Sequence, residues 1–133
     1  MTGNEDTVRV LLVGASPQVF SASRHLFEWN DCPCHFAKSH EEVSELLNLW
    51  EFDIVLSSHE VPEVSIHQLA ALFHGSRASL FHSIPVEQGC GWSRVLMHGK
   101  ECFGTPDLTA GELIYVLDQL VRQIRADFSP PLS

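Results

Sequence analysis

Basic residues are scarce in this chain. Lys and Arg number 8 against 17 Asp and Glu, for a formal net charge of −9. A nucleic-acid surface needs clustered Lys and Arg to neutralise phosphates, so none is expected. The same charge repels anionic membranes. Long apolar runs are missing as well. The early run over residues 8–13 is too short for the core of a secretory signal. Nothing approaches the roughly 18 apolar residues of a membrane span. A cytoplasmic location is the resulting expectation. The four cysteines read as reduced thiols rather than a disulfide framework. There is no internal repeat and no interdomain linker, which leaves one domain. Familiar catalytic signatures are missing too. No G-x-S-x-G elbow occurs. Gly14-Ala15-Ser16 is neither G-x-G-x-x-G nor a P-loop.

What remains is ample material for a core: 44% hydrophobic and 19% charged residues. Eight histidines make the net charge sensitive to pH around neutrality. Residues 1–7 read as a flexible lead-in, 8–126 as the domain and 127–133 as a tail. The nearly continuous apolar run 8–13 suits a central parallel strand buried on both faces. Ser16 and Pro17 then suit the N-cap and first position of a helix reaching about Trp29. Its inner face is Val19, Phe20, Leu26 and Phe27. Residues 30–33 form a turn and 34–37 a short edge strand. Ser39 and Glu42 have capping-box spacing, and Val43, Leu46, Leu47 and Trp50 recur at i, i+3, i+4, i+7.

The run 52–56 reads as the third strand. Ser65 and Gln68 make a second capping box, before a helix that buries Ile66, Leu69, Ala70 and Phe73. Residues 78–84 form a fourth strand stopped by Pro85. In 86–99, Pro85, Gly89 and Gly91 argue against a long helix and leave a short one over 92–98 or a loop. Residues 101–103 form a short fifth strand. Thr109 and Glu112 open the last helix, whose Leu113, Val116, Leu117, Leu120, Val121 and Ile124 give the clearest 3.6-residue period.

Strands alternating with helices predict an α/β fold with a parallel sheet. Five such units suggest a flavodoxin-like three-layer sandwich: a five-stranded parallel sheet of order 2-1-3-4-5 with a short or irregular fourth helix. Ligands and partners then belong at the strand carboxyl ends, in residues 14–16, 57–60, 83–86 and 104–106.

In the order and spacing of these loop ends, residues 8–124 resemble the CheY-like receiver domains of response regulators. In that family an acidic pair after the first strand binds a divalent metal, and an aspartate after the third strand accepts a phosphoryl group. A Ser or Thr after the fourth and a Lys after the fifth bind its oxygens. Matched onto this chain, the acidic pair falls on Gly14 and Ala15, and the acceptor on Ser58, or on Ser57 one residue earlier. The hydroxyl falls on Ser83, and the Lys-Pro pair on Thr105-Pro106. Pro62 keeps the family's loop proline, and the aromatic switch position falls on or near Cys102 and Phe103.

Metal ligands, acceptor and cation are thus all replaced. Magnesium wants hard oxygen ligands, and phosphoryl transfer depends on charge neutralisation and positioning. The resemblance therefore implies a degenerate pseudo-receiver of bacterial-type two-component signalling or phosphorelay. It would be non-enzymatic, without metal or cofactor, and would act through protein partners. It further implies a pairing face, also open to homodimers, on the fourth helix, fifth strand and last helix. That face would offer Trp92, Val95, Leu96, Cys102 and Phe103.

Other constellations have plainer readings. Cys32-Pro33-Cys34-His35 lacks the C-x₂₋₄-C spacing of structural zinc sites, which favours buried thiols. Ser58 and His59 are adjacent on a strand end and point apart. Glu60 and Glu63 read as loop charges. Trp92, flanked by Gly89 and Gly91, is either core or an exposed anchor. Two alternatives to the interaction module remain. Ser16, Ser58, Ser83 and Thr105 would line a hydroxyl pocket for a neutral polar ligand, or phosphorelay would run through another acceptor.

Overall fold

The computed structural model describes residues 8–14, 20–58, 66–86, 89–97, 100–101 and 109–128. Its elements are β1 (Val10–Val13), α1 (Ser21–Trp29), β2 (Cys34–Ala37), α2 (His40–Leu47), β3 (Ile54–Ser57), α3 (Ile66–Leu72), β4 (Ser79–Val86), β5 (Gly89–Met97), β6 (Lys100–Glu101) and α4 (Ala110–Phe128). The strands form one sheet in the order β2-β1-β3-β4-β5-β6. The first five places follow the expected 2-1-3-4-5, and β1, β2, β3 and β4 are mutually parallel.

Two expectations fail on the far side of the sheet. β5 runs antiparallel to β4 and β6 antiparallel to β5, so the sheet is mixed and six-stranded rather than parallel and five-stranded. The short fourth helix expected over 92–98 is β5 itself, and residues 100–101 form the last strand. The reason lies in chain length between strands. Val86 pairs with Gly89, so only positions 87 and 88 separate β4 from β5. A parallel crossover needs a dozen residues or more, whereas an antiparallel hairpin needs two. Pro85 also fails to stop β4. Pairing with β3 ends at His82, so residues 83–86 bond on one side only. A missing N–H is tolerated in such an overhang.

Alternation along β1 divides the core between the two sheet faces. Val10 and Leu12 join Phe20 and Phe27 of the α1 region and Leu113, Leu117, Leu120, Val121 and Ile124 of α4. Leu11 and Val13 join Val43 of α2 and Leu69 and Ala70 of α3, with Phe73 just beyond it. All four β1 residues are buried, as a strand covered on both faces requires.

Caps account for several helix ends. Thr109 and Glu112 form the complete box: the Glu112 N–H donates to Thr109 Oγ1 at 3.1 Å and the Thr109 N–H to Glu112 Oε1 at 2.8 Å. At α2 only half of the box forms. The Glu42 N–H donates to Ser39 Oγ at 3.2 Å, but the Glu42 carboxylate accepts from Lys38 N. The expected caps at Ser16 and Ser65 lie outside the described residues. α1 ends in a Schellman motif, with Asp31 in the left-handed region at φ 58°. The Cys32 N–H donates to Phe27 O and the Asp31 N–H to Glu28 O. Cys32 and Phe27 then meet in the same core cluster, the apolar contact that accompanies this cap.

Candidate functional site

The carboxyl ends of β1, β3 and β4 do meet, as the strand order demands. Ser57 pairs with Val13 on one side and His82 on the other, and the Ser58 N–H donates to Val13 O at 2.8 Å. Gly14, Ser58 and Ser83 are all buried, with Ser58 1% exposed. Ala15 and Thr105 lie outside the described residues, as do Ser16, His59, Glu60, Pro62, Glu63 and Pro106.

What occupies this end is an aromatic ring. A Cβ built on Gly14 would lie 2.8 Å from Phe20 Cε2, 2.9 Å from Phe20 Cζ and 3.2 Å from Ser58 Cβ. Gly14 is therefore required by the ring beside it, which leaves no room for a larger side chain. Phe20 stands at the N-cap of α1 and makes no side-chain capping bond there. Its packing outweighs the usual preference for Ser, Thr, Asp or Asn. Behind it lies Trp92, with ring centroids 6.4 Å apart and planes tilted by 46°. At Gly14 and Ser58 this strand end is buried, with the Phe20 ring packed against Gly14.

The structure also corrects the expected pairing face. Trp92 and Val95 are each 5% exposed and belong to the two opposite core clusters. Of the two readings of Trp92, core is the one realised. A bulge between Leu80 and Phe81 shifts the register here, setting Phe81 against Arg94. The Arg94 guanidinium sits 5.3 Å from the Phe81 ring centroid. Leu96 is placed in β5 by its backbone, and Cys102 and Phe103 lie outside the described residues.

A serine–histidine contact does form, but between residues the sequence reading did not pair. His82 Nδ1 lies 3.2 Å from Ser57 Oγ across the β3–β4 ladder. Ser57 is fully buried, so its hydroxyl has no route to a substrate. The contact bridges two strands. Cys32 and Cys34 are free thiols. Burial pushes the Cys34 thiol up to about 11 and raises Cys32 as well. At neutral pH both are protonated and poor nucleophiles. Among the described residues no group of three or more His, Cys, Asp or Glu could hold a metal.

Among the described residues a polar cluster lies at the opposite, amino end of the sheet, around Arg9, Asp53 and Arg77, to which sequence reasoning gave no functional role. Asp53 precedes β3 and is 2% exposed. It accepts from the Arg9 N–H at 3.1 Å and from Arg77 Nε at 2.8 Å. Burial raises its pKa above the usual 3.8, opposed by the Arg9 N–H and the Arg77 guanidinium. Arg9 reaches the other way. Its Nη1 lies 3.0 Å from His35 Nε2, and its guanidinium lies 4.0 Å above the Trp50 ring. His35 contacts Phe52 edge-on at 5.5 Å and Trp50 at 5.7 Å. A guanidinium only donates, so the His35 ring accepts through Nε2 and carries its proton on Nδ1. Two signals could have located this cluster. Asp53 immediately precedes β3 and Arg77 stands two residues before the adjacent parallel strand β4, while Arg9 and Asp53 immediately precede the paired strands β1 and β3.

Burial, and then the Arg9 charge, lower the His35 pKa from 6.5. Below pH 6.5 the unfolded chain takes up this proton before the folded one does. Stability from His35 is therefore fully present above 6.5 and is lost as pH falls through the lowered folded value. A His35→Gln variant should show a flatter loss of stability from pH 7 to pH 5 than the parent in urea titrations. Parallel curves would remove His35 as the cause.

Two clefts are lined by described residues. One, of about 210 Å³, lies between the ends of α2 and α3, among Leu47, Trp50, Phe52, Leu72, Phe73 and Arg77. The other, of about 160 Å³, lies beside edge strand β2, among Leu12, Arg24, Cys34, His35 and Phe36. Neither includes Gly14, Ser58 or Ser83. Among the described residues no helix is long and apolar enough to cross a membrane. No protein-family model, curated protein sequence or solved structure matches this chain.

Proposed function

We propose that this chain is a receiver-like, flavodoxin-type three-layer domain that has no phosphoryl chemistry and works by binding protein partners in signal transduction. The observation that carries the reading is the Phe20 ring beside Gly14 and Ser58, 2.8 Å from where a Gly14 Cβ would stand. An aspartyl-phosphate site needs a carboxylate acceptor, a hydrated divalent cation and space for three phosphoryl oxygens. Here the acceptor is a buried serine and an aromatic ring fills the neighbouring space. The parallel order β2-β1-β3-β4 supports the receiver-like part of the reading. The β4–β5 hairpin stands where a receiver would carry its fourth helix, so the domain is a divergent one. Its partner face would have to differ from the family's as well.

Beryllofluoride with magnesium mimics the phosphorylated state of receivers. Added to the ¹⁵N-labelled protein, it is expected to leave the amide resonances of Gly14, Ser57, Ser58 and Ser83 unmoved. A saturable, magnesium-dependent shift at these residues would overturn the proposal.

A further inference from the structure

Arg9 joins two rings through one guanidinium. Its Nη1 lies 3.0 Å from His35 Nε2, and its Cζ stands 4.0 Å from the centroid of Trp50. The His35 and Trp50 rings also touch, with centroids 5.7 Å apart. Trp50 in turn forms a wall of the 210 Å³ cleft, together with Leu47, Leu72 and Arg77. Direct contacts therefore run from an imidazole on β2 to the cleft between the ends of α2 and α3.

The first of these contacts exists in one protonation state only. A guanidinium has no acceptor, so His35 Nε2 must offer its lone pair. An imidazolium in the same place would set N–H against N–H, and one positive charge against another, at 3.0 Å. His35 has little freedom to yield. Its backbone is in register with Leu11 in the β1–β2 ladder, and its ring stands edge-on to Phe52, which is 2% exposed. Arg9 has more. It is half-buried and precedes β1, and Asp53 holds its backbone N–H rather than its side chain.

The groups around His35 do not offset a second positive charge. On its own strand the neighbour is Cys34, a protonated thiol at neutral pH. Arg24 of α1 shares the cleft beside β2 with His35, and Glu28 is paired to Arg24 at 3.6 Å. α2 turns Val43, Leu46 and Leu47 toward this face of the sheet. Ahead of β3, Glu51 and Asp53 both face Arg77, at 3.8 and 2.8 Å. Burial, and then the Arg9 charge, keep His35 below its usual 6.5, so the neutral ring is the form present at pH 7.

We infer that His35, Arg9 and Trp50 form a pH-operated latch on the cleft between the ends of α2 and α3. With His35 neutral, Arg9 is held over the Trp50 face and the cleft wall is fixed. When His35 Nε2 takes a proton from water, Arg9 swings off the indole, and Trp50, already 40% exposed, is free to reshape the cleft. Loss of that proton as pH rises closes the latch again. The Arg9 N–H and Arg77 stay on Asp53 throughout, so the fold around the latch is kept. A histidine is the side chain suited to such a change near neutral pH. The inference goes beyond the partner-binding reading and does not depend on it.

The test is an NMR titration of the ¹⁵N-labelled full chain from pH 7 down to the onset of unfolding. At pH 7 the His35 ring should show the Nδ1–H tautomer. On acidification the His35 ring, the Trp50 indole and the amides of Leu47, Leu72 and Arg77 should shift with one midpoint, below 6.5. His35→Gln keeps an acceptor for Arg9 but has nothing to titrate, so its Trp50 indole should hold still. Arg9→Met should displace the indole already at pH 7 and raise the His35 midpoint by removing the adjacent charge. Amide dispersion at pH 7 checks the fold of each variant, and the tautomer and shared midpoint of the parent decide the matter without them. An Nε2–H tautomer, or an indole that ignores the His35 titration, would overturn the inference. So would an indole shift that persists in His35→Gln, which would pass the role to Asp53, whose pKa burial raises. Loss of all amide dispersion at the His35 midpoint would overturn it too, since the change would then be global unfolding.

Discussion

Replacing Phe20 with alanine is expected to destabilise the domain by about 4 kcal/mol, the cost of a large aromatic lost from a packed core. Phe20 is 1% exposed and touches the Gly14–Ser58 strand end on one side and Trp92 on the other. The informative experiment adds Gly14→Ala. Alone, that change places a methyl 2.8 Å from a ring carbon, an overpacking that costs about 1–3 kcal/mol. With Phe20→Ala the obstructing ring is gone, and the cost of Gly14→Ala should fall close to zero. Urea unfolding of the four proteins closes a double-mutant cycle, with an expected coupling of about 1–3 kcal/mol. Additive effects would mean that Gly14 is needed for some reason other than the ring. The absence of a carboxylate at position 14 would then owe nothing to how this end is packed.

The second large effect belongs to Asp53. Asp53→Ala removes the acceptor of the Arg9 N–H and of Arg77 Nε, and the loss should be about 3 kcal/mol. Asp53→Asn should cost less, about 1–2 kcal/mol, because its one amide oxygen keeps one of the two bonds while its NH2 faces the other donor. The raised pKa explains the difference. Burial disfavours the ionised form of Asp53 more than its partners favour it. The Arg77 charge offsets only part of the burial cost, and both carboxylate oxygens are in use as acceptors. The same shift fixes the pH dependence. Because the folded pKa lies above 3.8, the folded state holds this proton longer than the unfolded chain does. The stability is fully present below 3.8 and is lost as pH rises through the folded value. In Asp53→Asn that slope should vanish. Equal losses from Ala and Asn in chemical denaturation would sink the acceptor argument and restore the ion pair as the source.

These two corners differ in how far they could be read in advance. At the strand carboxyl ends, the order of elements was enough to bring Gly14, Ser58 and Ser83 together. Phe20 was expected on an inner helix face, yet nothing in a linear pattern says that its ring points at Gly14. At the amino end, Asp53 was read only as part of a strand. Its partners, 44 and 24 positions away, become neighbours only when three parallel strands are laid side by side.

The hairpin shows the same division. Gly89 and Gly91 argued against a long helix, and no long helix forms there. The choice of strand over short helix or loop rested on β4 offering a free edge. That edge is a property of the assembled sheet.

By itself the sequence determined the α/β class, the parallel order β2-β1-β3-β4, the Thr109–Glu112 cap and the inner face of α4. The class, the cap and the helix face follow from short-range periodicity or local capping chemistry, and the order from the doubly wound fold that strand–helix alternation suggests. Only the tertiary structure decided that β5 turns back antiparallel, that Trp92 is core, and that Phe20 packs against Gly14. It alone drew Arg9, His35, Trp50, Asp53 and Arg77 into one cluster. Those outcomes depend on which surfaces remain available once other elements have packed, and no local window of the chain contains that information.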